Sequence, residues 1–147
     1  MRQNTSSQRA SLPFQCFHTC TAPGVDASNA ELFVRGVNHS RLKIWIVSFS
    51  QNEDVKNPMT YSGSYSGIHR FVAPLNADKS RNLITYYFKI MLSNKDGEPV
   101  DVVWYSSLGM SREPPLRQHC YVIELFNTHP QWAMDSVIYQ IYPDKFA

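Results

Sequence analysis

Leu83-Ile-Thr-Tyr-Tyr-Phe-Lys-Ile-Met-Leu92 decides the fold class. Ile84, Tyr86, Phe88, Ile90 and Leu92 recur at every second residue, with Thr85, Tyr87 and Lys89 between them. That two-residue period belongs to a strand with one buried face. Ser93-Asn-Lys-Asp-Gly97 comes next, and its Asp-Gly pair signals a hairpin turn into the run Val100–Tyr105. Further out, Tyr121–Phe126 alternates again, and so does Arg41–Phe49, with Leu42, Ile44 and Ile46 on one face and Trp45, Val47 and Phe49 on the other. Ala30–Arg35 is a short apolar run. Ile68–Leu75 alternates up to Pro74, which is expected to end ladder pairing there.

Two stretches read as irregular: Ser50–Gly67, a loop or ragged edge with a small Tyr61-Ser-Gly-Ser-Tyr65 repeat, and Gly109–Gln118, which holds Pro114-Pro115. No helical period interrupts residues 21–126. Short strands divided by polar turns, about six or seven of them, predict an all-β antiparallel sandwich. Residues 1–20 open on a polar, Ser/Gln-rich segment and are expected to be a flexible tail. Residues 127–135 form a Pro-containing connector, and 136–147 a nearly unbroken apolar run suited to a strand buried on both faces. Such a strand needs parallel neighbours, so these last residues read as the first piece of a further, incomplete domain.

Composition narrows the function classes. With 43% hydrophobic and 13% aromatic residues the 147-residue chain has the material for a core. Fourteen Lys and Arg stand against twelve Asp and Glu, and two of the basic residues, Arg2 and Arg9, lie in the N-terminal segment. The neutral remainder lacks the basic stripe of a nucleic-acid binder, so none is expected as a partner. Three cysteines, Cys16, Cys20 and Cys120, are too few for a disulfide framework and are expected to be reduced. Cys16, Cys20, His18 and His119 do not have the spacing of a zinc site, and no metal or cofactor is expected. There is no membrane-length apolar run and no secretory signal, which makes a cytoplasmic location the default and a membrane partner unexpected.

Pro130-Gln-Trp-Ala-Met-Asp-Ser-Val-Ile-Tyr-Gln-Ile-Tyr-Pro-Asp-Lys-Phe-Ala147 resembles the junction between the N-terminal domain and the catalytic barrel of α-amylase-family glycoside hydrolases. The maltodextrin glucosidases and the cyclomaltodextrinase/neopullulanase group are the nearest in pattern. There, a Pro-x-Trp connector leads into a Val-Ile-Tyr-Gln-Ile-Phe-Pro-Asp-Arg-Phe strand, the first of a (β/α)₈ barrel. Tyr139, Gln140, Pro143 and Asp144 match that motif, while Tyr142 replaces its Phe and Lys145 its Arg. Lysine offers a point charge where arginine offers a planar fork, so a bidentate contact of the family is not reproduced in full.

The resemblance implies an immunoglobulin-like, starch-binding-like sandwich over 21–126, the first strand of an incomplete catalytic barrel at 136–147, and a maltodextrin or related α-glucan as partner. It also implies a homodimer formed through the N-terminal domain. Retaining hydrolysis of an α-1,4-glucosidic bond needs two carboxyl groups about 5–5.5 Å apart. The family takes them from later barrel strands, so no residue here is assigned a catalytic role and the chain by itself is expected to be inactive. The rival expectation is a stand-alone glucan-binding or protein-interaction sandwich. Trp45, Tyr87, Trp104 and Tyr105 are the candidate sugar-binding rings, against the commoner fate of such rings as sandwich core. Tyr87, opposite the apolar face of its strand, is expected to be the most exposed of them.

Overall fold

The computed structural model describes residues 12, 14–20, 28–49, 54–75 and 83–124. Ten strands run through them: β1 (Gln15–Cys20), β2 (Ser28–Arg35), β3 (Leu42–Phe49), β4 (Asp54–Pro58), β5 (Thr60–Tyr65), β6 (Ile68–Leu75), β7 (Leu83–Ser93), β8 (Pro99–Ser106), β9 (Gly109–Ser111) and β10 (Tyr121–Glu124). Two short 3₁₀ turns, His39–Arg41 and Arg117–His119, are the helical elements among the described residues. No helix there is long and apolar enough to cross a membrane.

The strands form two antiparallel sheets. The first has the order β1-β2-β6-β5 and the second β4-β3-β7-β8-β9. Strand β7 organises the second sheet because its eleven residues outlast any neighbour. One edge pairs with β3 from Thr85 to Leu92; the other is shared, by β8 at Phe88–Ser93 and by β10 at Leu83–Tyr86. Between the sheets lies one core, in which Leu32, Val34, Phe71 and Ala73 of the first sheet meet Ile44, Ile46, Phe88, Ile90 and Val103 of the second. The alternating residues of β7 face inward as their spacing predicts, with Phe88 and Ile90 at 0% exposure.

Four local expectations are corrected. Residues 1–20 are not tail throughout, since Gln15–Cys20 is a strand paired along its whole length with Ala30–Arg35. Its inward residues are Cys16, His18 and Cys20, all half-buried, and this trio carries no aliphatic signal although cysteine packs as a small hydrophobe. Ser50–Gly67 is not simply loop, because its described part contains the edge strands β4 and β5. Gly109–Gln118 opens with the three-residue β9, closed onto β8 through Tyr105 and Met110. Finally, Pro74 does not stop the ladder: β2 and β6 pair past it to Ser28 and Leu75. Strand β5 pairs with β6 only as far as Val72, so Pro74 lies where that side of β6 is an open edge and a missing N–H is tolerated. The connector 127–135 with Trp132, the barrel-like run 136–147 and its motif residues Tyr139, Gln140, Pro143 and Asp144 all lie outside the described residues.

Candidate functional site: an aromatic and lysine face

Register places one row of side chains across the outer face of the second sheet. Trp45 of β3 is opposite Lys89 of β7, Lys89 is opposite Trp104 of β8, and Trp104 is opposite Ser111 of β9. Residues directly opposite share a face, so the two indoles flank one lysine. Pro58 extends the row on the far side of Trp45. Lys56 and Lys89 place their ammonium groups 5.7 and 5.9 Å from the centre of the Trp45 ring. That is cation–π range. The Lys89 pKa is lowered, first by partial burial and then by the like charge of Lys56. Both indoles are half-buried, each with part of the ring open to solvent.

Tyr87 sits one pleat further along the same face, beside Val47. It is half-buried, as are Trp45, Trp104 and Tyr105. Phe49 leans on it at a ring-centre distance of 5.7 Å, and Arg117 caps Phe49 at 5.1 Å. The 3₁₀ turn carrying Arg117 is tied to the β8–β9 hairpin, where the Ser107 N–H and hydroxyl both donate to the His119 carbonyl at 3.0 and 2.6 Å. Burial, followed by the negative charge of Asp54, raises the Tyr87 hydroxyl pKa. The outer face therefore has a covered end at Phe49 and Tyr87 and an open end at Trp45 and Trp104.

Tyr105 does not belong to that platform. One residue beyond Trp104, it points to the other side of the sheet and packs against the core. There its hydroxyl lies 3.3 Å from His18 Nδ1, while His18 Nε2 lies 3.1 Å from the Tyr86 hydroxyl. The Cys20 thiol donates to the same Tyr86 oxygen at 3.2 Å, and Tyr121 rests 4.2 Å from the His18 ring. Burial, then the Cys20 contact, holds the Tyr86 hydroxyl far above its ordinary pKa; burial also pushes the Cys16 thiol up to about 12. Two phenols on one imidazole, with the Cys20 thiol on one of them, satisfy one another's buried polar atoms, a structural task.

Burial lowers the pKa of His18 from its ordinary 6.5. Between the lowered value and 6.5 the unfolded chain binds more protons than the folded one, so this contribution to stability is full above pH 6.5 and falls as pH drops through the folded value. The urea midpoint of the native protein is expected to decrease between pH 8 and pH 5.5, and His18→Gln is expected to flatten that decrease. An equally steep decrease in the variant would assign it to other groups. The Glu31 carboxyl, lowered chiefly by its bond to Arg70, acts only below 4.5.

A second surface feature escaped the sequence reading. On the outer face of the first sheet, Phe17 stacks on Phe33 at 4.9 Å, and Ile68, Tyr65 and Arg70 complete a shallow groove of about 410 Å³. Tyr65 is 84% exposed. Arg70 is braced at 2.5 Å by Glu31 and at 2.8 Å by the Ser62 hydroxyl. The available signal was Phe17 itself, an aromatic on the solvent side of a strand whose own existence was not recognised. No group of three or more His, Cys, Asp or Glu among the described residues is arranged to hold a metal ion. No family model matches the chain, and no curated protein matches it.

Proposed function

We propose that the sandwich begun by β1 at Gln15 and described to Glu124 is the immunoglobulin-like N-terminal domain of an α-amylase-family glycoside hydrolase acting on the α-1,4 bonds of maltodextrins. The observation that carries this reading is the Pro130–Ala147 run, a Pro-x-Trp connector followed by Val137-Ile-Tyr-Gln-Ile-Tyr-Pro-Asp144, placed directly after a sandwich-length run of strands. In this reading the sandwich holds glucan while a barrel begun by 136–147 supplies the carboxylates. The open end of the aromatic face supports it: pyranose rings present apolar faces edged with hydroxyls, and Trp45 and Trp104 offer matching apolar planes with lysine donors beside them.

Two measurements test the proposal. Translation of the DNA after codon 147 in all three frames is expected to reveal an Asp-x-x-x-Asn-His motif and later Asp and Glu motifs of the barrel. Their absence from every frame overturns the reading. The purified 147-residue chain is expected to release no glucose from maltoheptaose, and turnover by it would assign the chemistry to residues already present.

A further inference from the structure

At one end of the sandwich the β2–β3 connection faces the β5–β6 hairpin across an open cleft of about 750 Å³, lined by Arg35, Asn38, His39, Ser66, Gly67 and His69 among others. The residues that line it include two imidazoles and a guanidinium and no Asp or Glu. We propose that this cleft is a binding site for a phosphoryl group, carried either by free orthophosphate or by a small sugar phosphate.

Several observations converge on an anion. Arg35 is exposed and makes no ion pair with a described residue; both ion pairs found among these residues, Arg70–Glu31 and Arg112–Asp101, lie elsewhere. His39 is held flat on Tyr61, with ring centres 3.8 Å apart and planes within 2°, so its imidazole is fixed before any ligand arrives. His69 lies 5.2 Å from His39, ring centre to ring centre. Its Nδ1 is buried and has no hydrogen-bond partner among the described residues. An unmet valence of this kind is ordinarily satisfied by a water or a ligand. The Asn38 side-chain oxygen accepts from the Ser40 N–H and hydroxyl, both at 3.1 Å, which orients its amide nitrogen as a further donor.

Two imidazoles also suggest a transition metal, but Arg35 in the same lining repels a cation, and no carboxylate offsets it. A phosphoryl group meets the guanidinium as a bidentate partner and the imidazoles as charge-assisted donors. The cleft exceeds the size of a bare phosphate, which leaves room for a sugar ring attached to it. This proposal stands independently of the glucan reading.

Amide and imidazole NMR spectra of the full chain, titrated with orthophosphate, glucose 6-phosphate, glucose and Zn²⁺, test it. Orthophosphate and glucose 6-phosphate are expected to shift Gly36, Asn38, Ser66 and Gly67 saturably, and glucose is expected not to. If glucose 6-phosphate binds roughly tenfold more tightly the natural source is an ester, and if the two bind equally it is free phosphate. Arg35→Gln is expected to weaken either ligand roughly tenfold or more with the rest of the spectrum unchanged. His39→Gln serves as the second variant, with the same expectation. Phosphoryl binding weaker than about 10 mM, equal affinity in both variants, equal shifts from glucose, or saturable Zn²⁺ binding in place of phosphate overturns the proposal.

Discussion

Phe88→Ala is expected to cost about 3–5 kcal/mol of folding stability, the range for truncating a buried phenylalanine. A domain of this kind has only about 5–15 kcal/mol to lose, so the variant should lie close to unfolding at room temperature. The side chain is fully buried at the middle of β7, opposite Ile46 on one neighbour and Tyr105 on the other. Its ring meets those of Tyr86, Tyr105 and His18 at 5.8, 5.7 and 5.2 Å, so its removal opens a void walled by both sheets. Those walls belong to paired strands and cannot easily collapse into it, which places the cost toward the upper end. Urea unfolding of Phe88→Ala against Phe88→Leu measures it. Leucine fills most of the volume and is expected to lose under half as much. A loss below about 1 kcal/mol for alanine would mean that the two sheets do not close over this ring.

The same residue explains why so much of the architecture was legible. In β7 each inward position is apolar or aromatic while Thr85 and Lys89 break the outward row, so period and burial coincide over Ile84–Leu92. In β3 they coincide less well, since Trp45, Val47 and Phe49 make the outer face apolar too. That apolar outer face was readable as a surface needing cover, and Val47 is indeed 1% exposed. What covers its end is the chain around Arg117–Cys120, a segment without periodicity whose position depends on the Ser107–His119 bonds, and nothing local predicts those. Strand β1 was illegible for a different reason. Its inward His18 and Cys20 find partners at Tyr86, Tyr105 and Tyr121, residues far along the chain, so its burial is a tertiary fact.

The candidate platform divided along the same line. Trp45, Tyr87 and Trp104 share a face because β3, β7 and β8 are adjacent and in register; Tyr105 falls on the other face by one residue of parity. Choosing rings by strand membership gathered all four, and only pairing separates them. The end cleft depends still more on topology. Arg35, His39 and His69 line one cleft because the β2–β3 connection and the β5–β6 hairpin lie at the same end of the sandwich, a proximity that single-strand periodicity does not encode.

Trp45→Ala and Trp104→Ala are each expected to weaken maltoheptaose binding by the full chain roughly tenfold to thirtyfold, about 1.4–2 kcal/mol apiece. Both rings are half-buried on the solvent side of their strands and so contribute little to the core. Their removal should leave the urea midpoint within about 1 kcal/mol of the native protein, which separates lost contact from lost fold. The two rings lie on either side of Lys89 in one row, so one glucan chain is expected to span both, and the double variant to bind no more tightly than the weaker single variant. Tyr105→Phe, altered on the inner face, is expected to keep native affinity while losing stability through its contact with His18. The informative comparison is Phe17→Ala with Tyr65→Ala, which empties the groove on the opposite sheet. If affinity falls in that pair and survives in the tryptophan variants, glucan lies against the Phe17–Phe33 stack, and the lysine-flanked indoles are not its platform. Retention of affinity in all of these variants would instead remove the sandwich surface from glucan recognition altogether. The face around Lys56 and Lys89 would then have to be matched to a different ligand, one chosen by its charge and not by its ring faces.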